Sequence, residues 1–428
     1  MATNRSVQAR EANKYGDLKR RLVFLVLALV VFRIGTHIPV PGINPDALSD
    51  LFNSEQGGAL GLFNLFSGGA LSRVSVFSLG IMPYITAQII LQMMQAVIPS
   101  LGELAKEGES GQRKITQYTR YLTIVLALIN AIGYLFLFKS YGINFSQMGF
   151  PEAIEDIIIV GVLVTGAIII MWLGEVITQR GVGNGMSLII FANIMAGLPS
   201  ALISSVNTSS AGTIMTALTL LVIFAIIPVI VYIERGQRRI PVQYAKRVVG
   251  RKVMGGQSTY LPIKVNTAGV VPIIFASAIL YLPAQLAVFF PNVGWIQAFA
   301  NALSSGWVNW ILSVVLIVFF AYFYTAMVFN PEETSDQLRK SGGFIPGVRP
   351  GGPTAAYIKG VLDHITLPGA LFMAAIAVVP SILFALTGNS LLQAFGGTSV
   401  LIMVGVAMDT ISQLESQLKM HNYEGFFK

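Results

Sequence analysis

The sequence predicts an all-α polytopic membrane protein with ten transmembrane helices in two inverted five-helix halves, and three observations carry that prediction. Charged residues make up only 11% of the 428 positions, at a mean hydropathy of +0.69, whereas a soluble domain carries roughly 25% charge. Apolar runs long enough to cross a hydrocarbon layer of roughly 30 Å recur along the whole length. Lysine and arginine gather in alternate connections between those runs.

The expected membrane helices lie near residues 22–40, 74–98, 116–138, 156–175, 186–205, 213–233, 266–287, 307–329, 366–387 and 397–414. The first 21 residues are polar, so the first apolar run is not the h-region of a cleaved signal peptide and is expected to stay as a helix. There is no cysteine, and the three histidines, His37, His364 and His421, are scattered. Disulfides and thiolate metal sites are therefore excluded, and no histidine ligand cluster is expected.

Of the 28 lysines and arginines, 25 fall in the N-terminal tail, the 99–120 region, Arg180, the 234–265 and 330–365 loops and the C-terminal tail. The alternate loops at 206–212, 288–306 and 388–396 contain none. The positive-inside rule then places both termini in the cytoplasm, which an even number of helices requires. The chain divides into a tail (1–21), a first half (22–205), a hinge loop (206–212), a second half (213–414) and a C-terminal tail (415–428).

The two halves share short patterns. Gly80-Ile81-Met82-Pro83-Tyr84-Ile85 in the second helix and Gly269-Val270-Val271-Pro272-Ile273-Ile274 in the seventh both read G-x-x-P-x-I. Gly183-Asn184-Gly185 and Gly396-Gly397 open the fifth and tenth helices, each with Ile three residues after Ser, at Ser187 and Ile190 and at Ser399 and Ile402. Five is odd, so each matched pair crosses in opposite directions, as in an inverted repeat about an axis in the membrane plane.

Such repeats place the shared site at the matched positions, and here those are Ile85, Ile190, Ile274 and Ile402. A small-solute transporter is expected to keep an intramembrane charge, which costs at least about 2.5–3.5 kcal/mol to bury. Arg33, Glu175 and Asp409 instead lie near helix ends, where snorkelling accounts for them. A ring of isoleucines seals by excluding water and ions, unless these are ordinary packing positions. Between the first two helices, residues 60–72 are uncharged and too short to span, which fits either a re-entrant plug or an interfacial helix. Gly68 and Gly69, within this stretch, supply a hinge before the second helix.

The 234–265 loop carries eight cations against one acid, Glu234, and its Val/Tyr-rich pieces around Gly255-Gly256 predict a hairpin. The 330–365 loop holds Arg339, Lys340, Arg349 and Lys359. Both are long for mere connections, and they read as a docking surface for a large acidic partner or as attraction to anionic lipids. No H-E-x-x-H, Walker loop or G-x-S-x-G occurs, so the motifs predict no enzyme, and any energy source is external.

Long motifs in order resemble the SecY family of protein-conducting channel subunits over all ten helices. They are LKRRL at 18–22, FRIGTHIPVPGI at 32–43, FNLFSGGALSR at 63–73, LGIMPYITAQII at 79–90, EGESGQRKITQYTRY at 107–121, WLGEVITQRGVGNGMSLIIFANI at 172–194, ERGQRRI at 234–240, QSTYLPIKVNTAGVVP at 257–272, VFNPEETSDQLRKSGGFIPGVRPG at 328–351 and FGGTSVLI at 395–402. The resemblance implies an hourglass pore between the halves, hinged at the 5/6 loop and opening to lipid between helices 2/3 and 7/8.

By motif, the implied pore ring is Ile81, Ile85, Met186, Ile190, Ile274 and Ile402. The family has an isoleucine where this chain has Met186, whose flexible thioether still seals. The implied plug includes Leu62, Phe63, Asn64, Leu65, Phe66, Ser67, Gly68 and Gly69, and the implied lateral-gate polar groups are Gln92, Asn130 and Asn266. Arg238, Arg239, Lys246, Arg247, Arg251, Lys252, Arg339, Lys340 and Arg349 become contacts for the motor ATPase SecA or the ribosome. Other implied partners are SecE-like and SecG-like subunits, signal sequences, nascent polypeptides and anionic lipids in the cytoplasmic membrane, with no cofactor. A secondary transporter built on the same repeat is the competing reading.

Overall fold

The computed structural model describes residues 2–42, 67–140, 150–207, 212–244, 247–249, 252–254, 258–290, 293–304, 306–387, 392 and 396–423. Each of the ten predicted apolar stretches forms a helix over most of its length. The first is α1 (Ala2–Gly35), followed by α2 (Met82–Val97), α3 (Pro99–Lys106), α4 (Glu109–Ser140), α5 (Glu152–Arg180), α6 (Gly185–Asn207) and α7 (Gly212–Glu234). After a β region come α8 (Val271–Phe289), α9 (Gly294–Ser304), α10 (Gly306–Val328), α11 (Pro331–Lys340), α12 (Gly352–Thr387) and α13 (Gly397–Tyr423).

Among the described residues, seven spans centred on α4, α5, α6, α7, α10, α12 and α13 are long and apolar enough to cross a membrane. The pair α2–α3, bent by 101°, makes an eighth. The apolar part of α8, Val271–Ala287, is shorter. In α1 the apolar run from 22 to 32 is bounded by Arg21 and Arg33. The chain is a multi-pass membrane protein.

Three boundaries differ from expectation. The stretch from 74 to 81 is not helix but turns, because Gly80 takes a left-handed φ of 57° and ends the approach to α2. Irregular backbone at membrane depth is tolerated only inside protein, and here its polar groups are satisfied. Val40 N–H donates to the Val74 carbonyl at 2.8 Å, Val76 N–H to Ile38 at 2.9 Å, and the Ser78 hydroxyl to the Ser75 and Ala70 carbonyls at 2.6 and 3.0 Å.

The helix expected at 366 starts at Gly352. Its first turns bury Thr354, Ile358, Leu362 and Thr366 at a four-residue spacing while Lys359, Asp363 and His364 face outward, an amphipathic pattern that hydropathy alone conceals. The polar tail before residue 22 likewise continues α1, and the 288–306 loop contains α9.

The halves repeat one packing order. In the first, α2 packs on α4, α4 on α5 and α5 on α6; in the second, α8 packs on α10, α10 on α12 and α12 on α13. The matched motifs also have matched geometry. Gly80 (φ 57°) and Gly269 (φ 63°) each lie two residues before a helix whose second residue is proline, Pro83 or Pro272. Proline suits that position because its missing N–H would find no intrahelical partner there.

Gly185 and Gly397 each open a helix pressed against a backbone carbonyl of the preceding long helix, that of Gly174 or Ile376, leaving no space for a Cβ. The sequence comparison missed a third pair. Gly166 lies against the Val76 carbonyl and Gly369 against that of Val265, and each carbonyl is four residues before the repeat glycine.

The two basic loops form one body. β1 (Gln237–Tyr244) pairs antiparallel with β4 (Ser258–Lys264) on one edge and with β5 (Gly343–Phe344) on the other. β2 (Arg247–Val249) and β3 (Lys252–Met254) pair antiparallel with Val249 opposite Lys252, while Gly255 and Gly256, about which the hairpin was predicted, lie outside the described residues. Ile240, Ile263, Ile345, Ile358 and Leu362 form a small core that seats the sheet on α12.

Candidate functional site

The repeat glycines set where each helix begins, and so where its first apolar side chains point. Ile85 is the fourth residue of α2 and Ile274 the fourth of α8; Ile190 is the sixth of α6 and Ile402 the sixth of α13. All four, with Ile81 and Met186, lie in a single apolar cluster. Exposure falls to 1% for Ile81, 5% for Ile85, 7% for Met186, 2% for Ile190 and 0% for Ile402, while Ile274 is half-buried. Met186 has a local reason: its sulfur occupies the space above Gly174, where any larger residue would collide with it. Among the described residues, no group of three or more His, Asp and Glu side chains could hold a metal.

Beside this cluster, the described end of the predicted plug is pinned. Of the residues predicted to form it, Leu62, Phe63, Asn64, Leu65 and Phe66 lie outside the described residues. Ser67 and Gly68 are buried and Gly69 half-buried. Arg33 donates to the Gly68 carbonyl at 2.7 Å, so it is held in the protein and does not reach out to the interface. Arg73 bonds the His37 ring at 2.8 Å, and the other ring nitrogen of His37 lies 2.9 Å from the Arg33 carbonyl.

Of the three predicted gate amides, Asn130 sits where α4 meets α8 and accepts a hydrogen bond from Gln285 at 2.6 Å. Gln285 was overlooked; a lone amide in an apolar run is the signal that points to it. The Gln92 carbonyl oxygen is buried with no partner among the described residues. It borders a cavity of about 1400 Å³ between α2–α4 and the end of α10 with α11. Asn266 is engaged elsewhere, donating to Glu234 at 2.6 Å and to the Gly269 carbonyl at 3.0 Å, which braces the entry to α8.

Glu175 was expected to snorkel. It forms instead a two-bond pair with Arg120, at 2.9 and 2.6 Å, joining α5 to α4. Lys139, at the far end of α4, reaches Glu152 at 2.9 Å and Asp156 at 2.6 Å.

Among the predicted docking cations, Arg238 and Arg239 are exposed on β1, Arg339 and Lys340 close α11, and Arg349 is exposed at the tip before α12. Its carbonyl accepts from the Thr354 hydroxyl at 2.8 Å, which fixes that tip to the helix. Arg247 and Lys252 lie in β2 and β3; Lys246 and Arg251 fall outside the described residues.

Comparisons with known proteins agree with this arrangement. The SecY family model matches residues 75–411. Protein translocase subunit SecY of Pseudomonas aeruginosa is 50% identical, covering 100% of this chain and 97% of the relative, and that of Streptomyces coelicolor is 48% identical, covering 97% and 98%. Among solved structures, a protein-conducting channel at 18% identity superposes with a TM-score of 0.64, covering 94% of this chain and 93% of the other. Sec61 in a canine ribosome–channel complex from the endoplasmic reticulum, at 17% identity, gives 0.59, covering 94% and 92%. The chain therefore belongs to the SecY family.

Proposed function

We propose that this chain is a protein-conducting channel that moves unfolded secretory polypeptides across the cytoplasmic membrane and releases membrane-protein helices sideways into it. The observation that carries this reading is the meeting of Ile81, Ile85, Met186, Ile190, Ile274 and Ile402, drawn from both halves, in one apolar cluster. A constriction lined this way lets a chain pass and re-forms behind it, yet offers no ligand for a small solute. That separates it from a transporter. The chain is no enzyme, and the work comes from a motor ATPase such as SecA or from the ribosome.

In this reading all ten helices cross the membrane with both termini cytoplasmic, and the halves hinge at 206–212. Residues 60–72 form the plug, and Arg33 anchors its root through Gly68. The lateral gate lies where α2 and α4 meet α8, the cavity bordered by Gln92 receives the incoming signal sequence, and Gln285 joins Asn130 as a gate contact, with Asn266 bracing the entry to α8. SecE-like and SecG-like subunits complete the assembly, and anionic lipids meet the basic face.

Two tests follow. Asn130→Leu or Gln285→Leu alone strands a half-buried amide and destabilises the closed gate by about 1 kcal/mol. Each is expected to relax signal-sequence selectivity in a translocation assay, and the double leucine variant to restore it; equal behaviour of the single and double variants would count against the gate contact. Reversing charge at Arg349→Glu is expected to abolish motor-driven transport while the channel still inserts and assembles. Full transport by that variant would remove the docking role.

A further inference from the structure

A second large groove, of about 1090 Å³, is lined by α10, α11, α12 and the residues that join them; it shares Phe323, Ala326, Phe329, Asn330, Glu332 and Asp336 with the cavity beside Gln92, while Phe319, Tyr322, Lys359 and Asp363 line this groove and not that cavity. Its floor is aromatic, with Phe319, Tyr322 and Phe323 from α10; its wall carries Lys359 and Asp363 from α12. The Tyr322 hydroxyl donates to the Asp363 carbonyl at 3.2 Å. That bond sets Asp363 beside a point six residues, or about 9 Å, before the end of α10 at Val328. Since α10 has no charged residue, Lys359 and Asp363 stand against the last apolar turns of a membrane span. Hydrocarbon gives way to lipid head groups at that level.

Charges at that level reach the head-group layer, and these two do not neutralise each other. They are four residues apart with lysine first, the less favourable order for a helical pair. Among the described residues neither side chain makes a hydrogen bond or ion pair, and the same holds for Glu332 on the rim. The groove thus presents separate positive and negative groups above an aromatic slot. A molecule with a phosphate, an ammonium and an acyl chain complements all three. Asp336 is paired with Arg339 at 3.4 Å, which leaves Glu332 and Asp363 against Lys359, and that balance does not favour a lipid of net negative charge.

We propose that this groove holds one phospholipid whose head group ends in a primary ammonium, with its phosphate on Lys359, its ammonium on Asp363 and an acyl chain along Phe319 and Phe323. The ammonium matters because it has three N–H donors, whereas a trimethylammonium has none to offer the carboxylate.

The test uses the full-length chain, purified with the subunits it carries, in nanodiscs of equal dioleoyl phosphatidylethanolamine, phosphatidylcholine and phosphatidylglycerol, with retained lipid read by native mass spectrometry. One phosphatidylethanolamine is expected to be retained about tenfold over either competitor, the factor expected for one hydrogen bond between charged groups. Asp363→Asn should bring the ethanolamine-to-choline ratio to near one, Lys359→Gln should lower retention of both, and Asp363→Glu should keep the preference. Circular dichroism checks that each variant folds.

Equal retention of ethanolamine and choline lipids by the native chain would overturn the proposal, as would a preference for phosphatidylglycerol or full selectivity in Asp363→Asn. Loss of retained lipid whenever partner subunits are present would also overturn it, by showing that protein fills the groove. None of these results bears on translocation, so the two readings fail separately.

Discussion

Vesicles carrying this chain with Ile85, Ile190, Ile274 and Ile402 all replaced by asparagine will leak ions faster than vesicles with the native chain by about tenfold or more, because an apolar constriction excludes water only while its walls offer no hydrogen bonds. The four side chains occupy matched positions on α2, α6, α8 and α13, and none of them carries a polar atom. An amide placed there without a partner costs about 1–3 kcal/mol, and the cheapest relief is to hydrate the constriction. Replacement of the same four by valine keeps the wall apolar and should keep the seal. A potential-sensitive dye reads both variants under an imposed ion gradient. An unchanged leak in the asparagine variant would reduce these residues to ordinary packing.

The second large effect is on stability. Gly397→Ala is expected to destabilise the chain by about 3 kcal/mol or more, at or beyond the upper end of ordinary overpacking, and Gly185→Ala to behave alike. In each case the added methyl would meet a main-chain carbonyl, of Ile376 or Gly174, that belongs to a neighbouring helix and cannot rotate away. The contrast is with Gly161 and Gly360, which lie inside α5 and α12 with nothing near the place a Cβ would take. Alanine at those two is expected to stabilise by about 0.5–1 kcal/mol through helix propensity. Thermal melts of the four single variants in one detergent give the ranking. A Gly397→Ala chain as stable as the Gly360→Ala chain would show that the α12–α13 contact is loose.

Much of this arrangement could be read from residues alone, for identifiable reasons. Glycine with positive φ and proline near a helix start are local requirements, so G-x-x-P-x-I marked both α2 and α8 and placed Ile85 and Ile274 correctly in register. The isoleucines of α6 and α13 followed from the same kind of spacing. Hydropathy found every long helix but misplaced boundaries wherever apolar content and helix part company. Residues 74–81 are apolar yet held in turns by hydrogen bonds to 38–40, and the first turns of α12 are charged yet helical. Contacts between distant residues left no local trace. Arg120 and Glu175 are separated by 55 positions and Asn130 and Gln285 by 155, so snorkelling was the natural reading of Glu175 and Gln285 drew no notice.

In the proposed channel a substrate enters between α2 and α8 before it passes the isoleucine constriction. Photo-crosslinkers placed one at a time along 80–92 and 266–278, with a stalled signal-sequence substrate in the channel, test it directly. Adducts to both segments are expected, concentrated on the faces that meet across the gate and lost when the signal sequence is removed. Adducts to only one segment, or to neither, would contradict it.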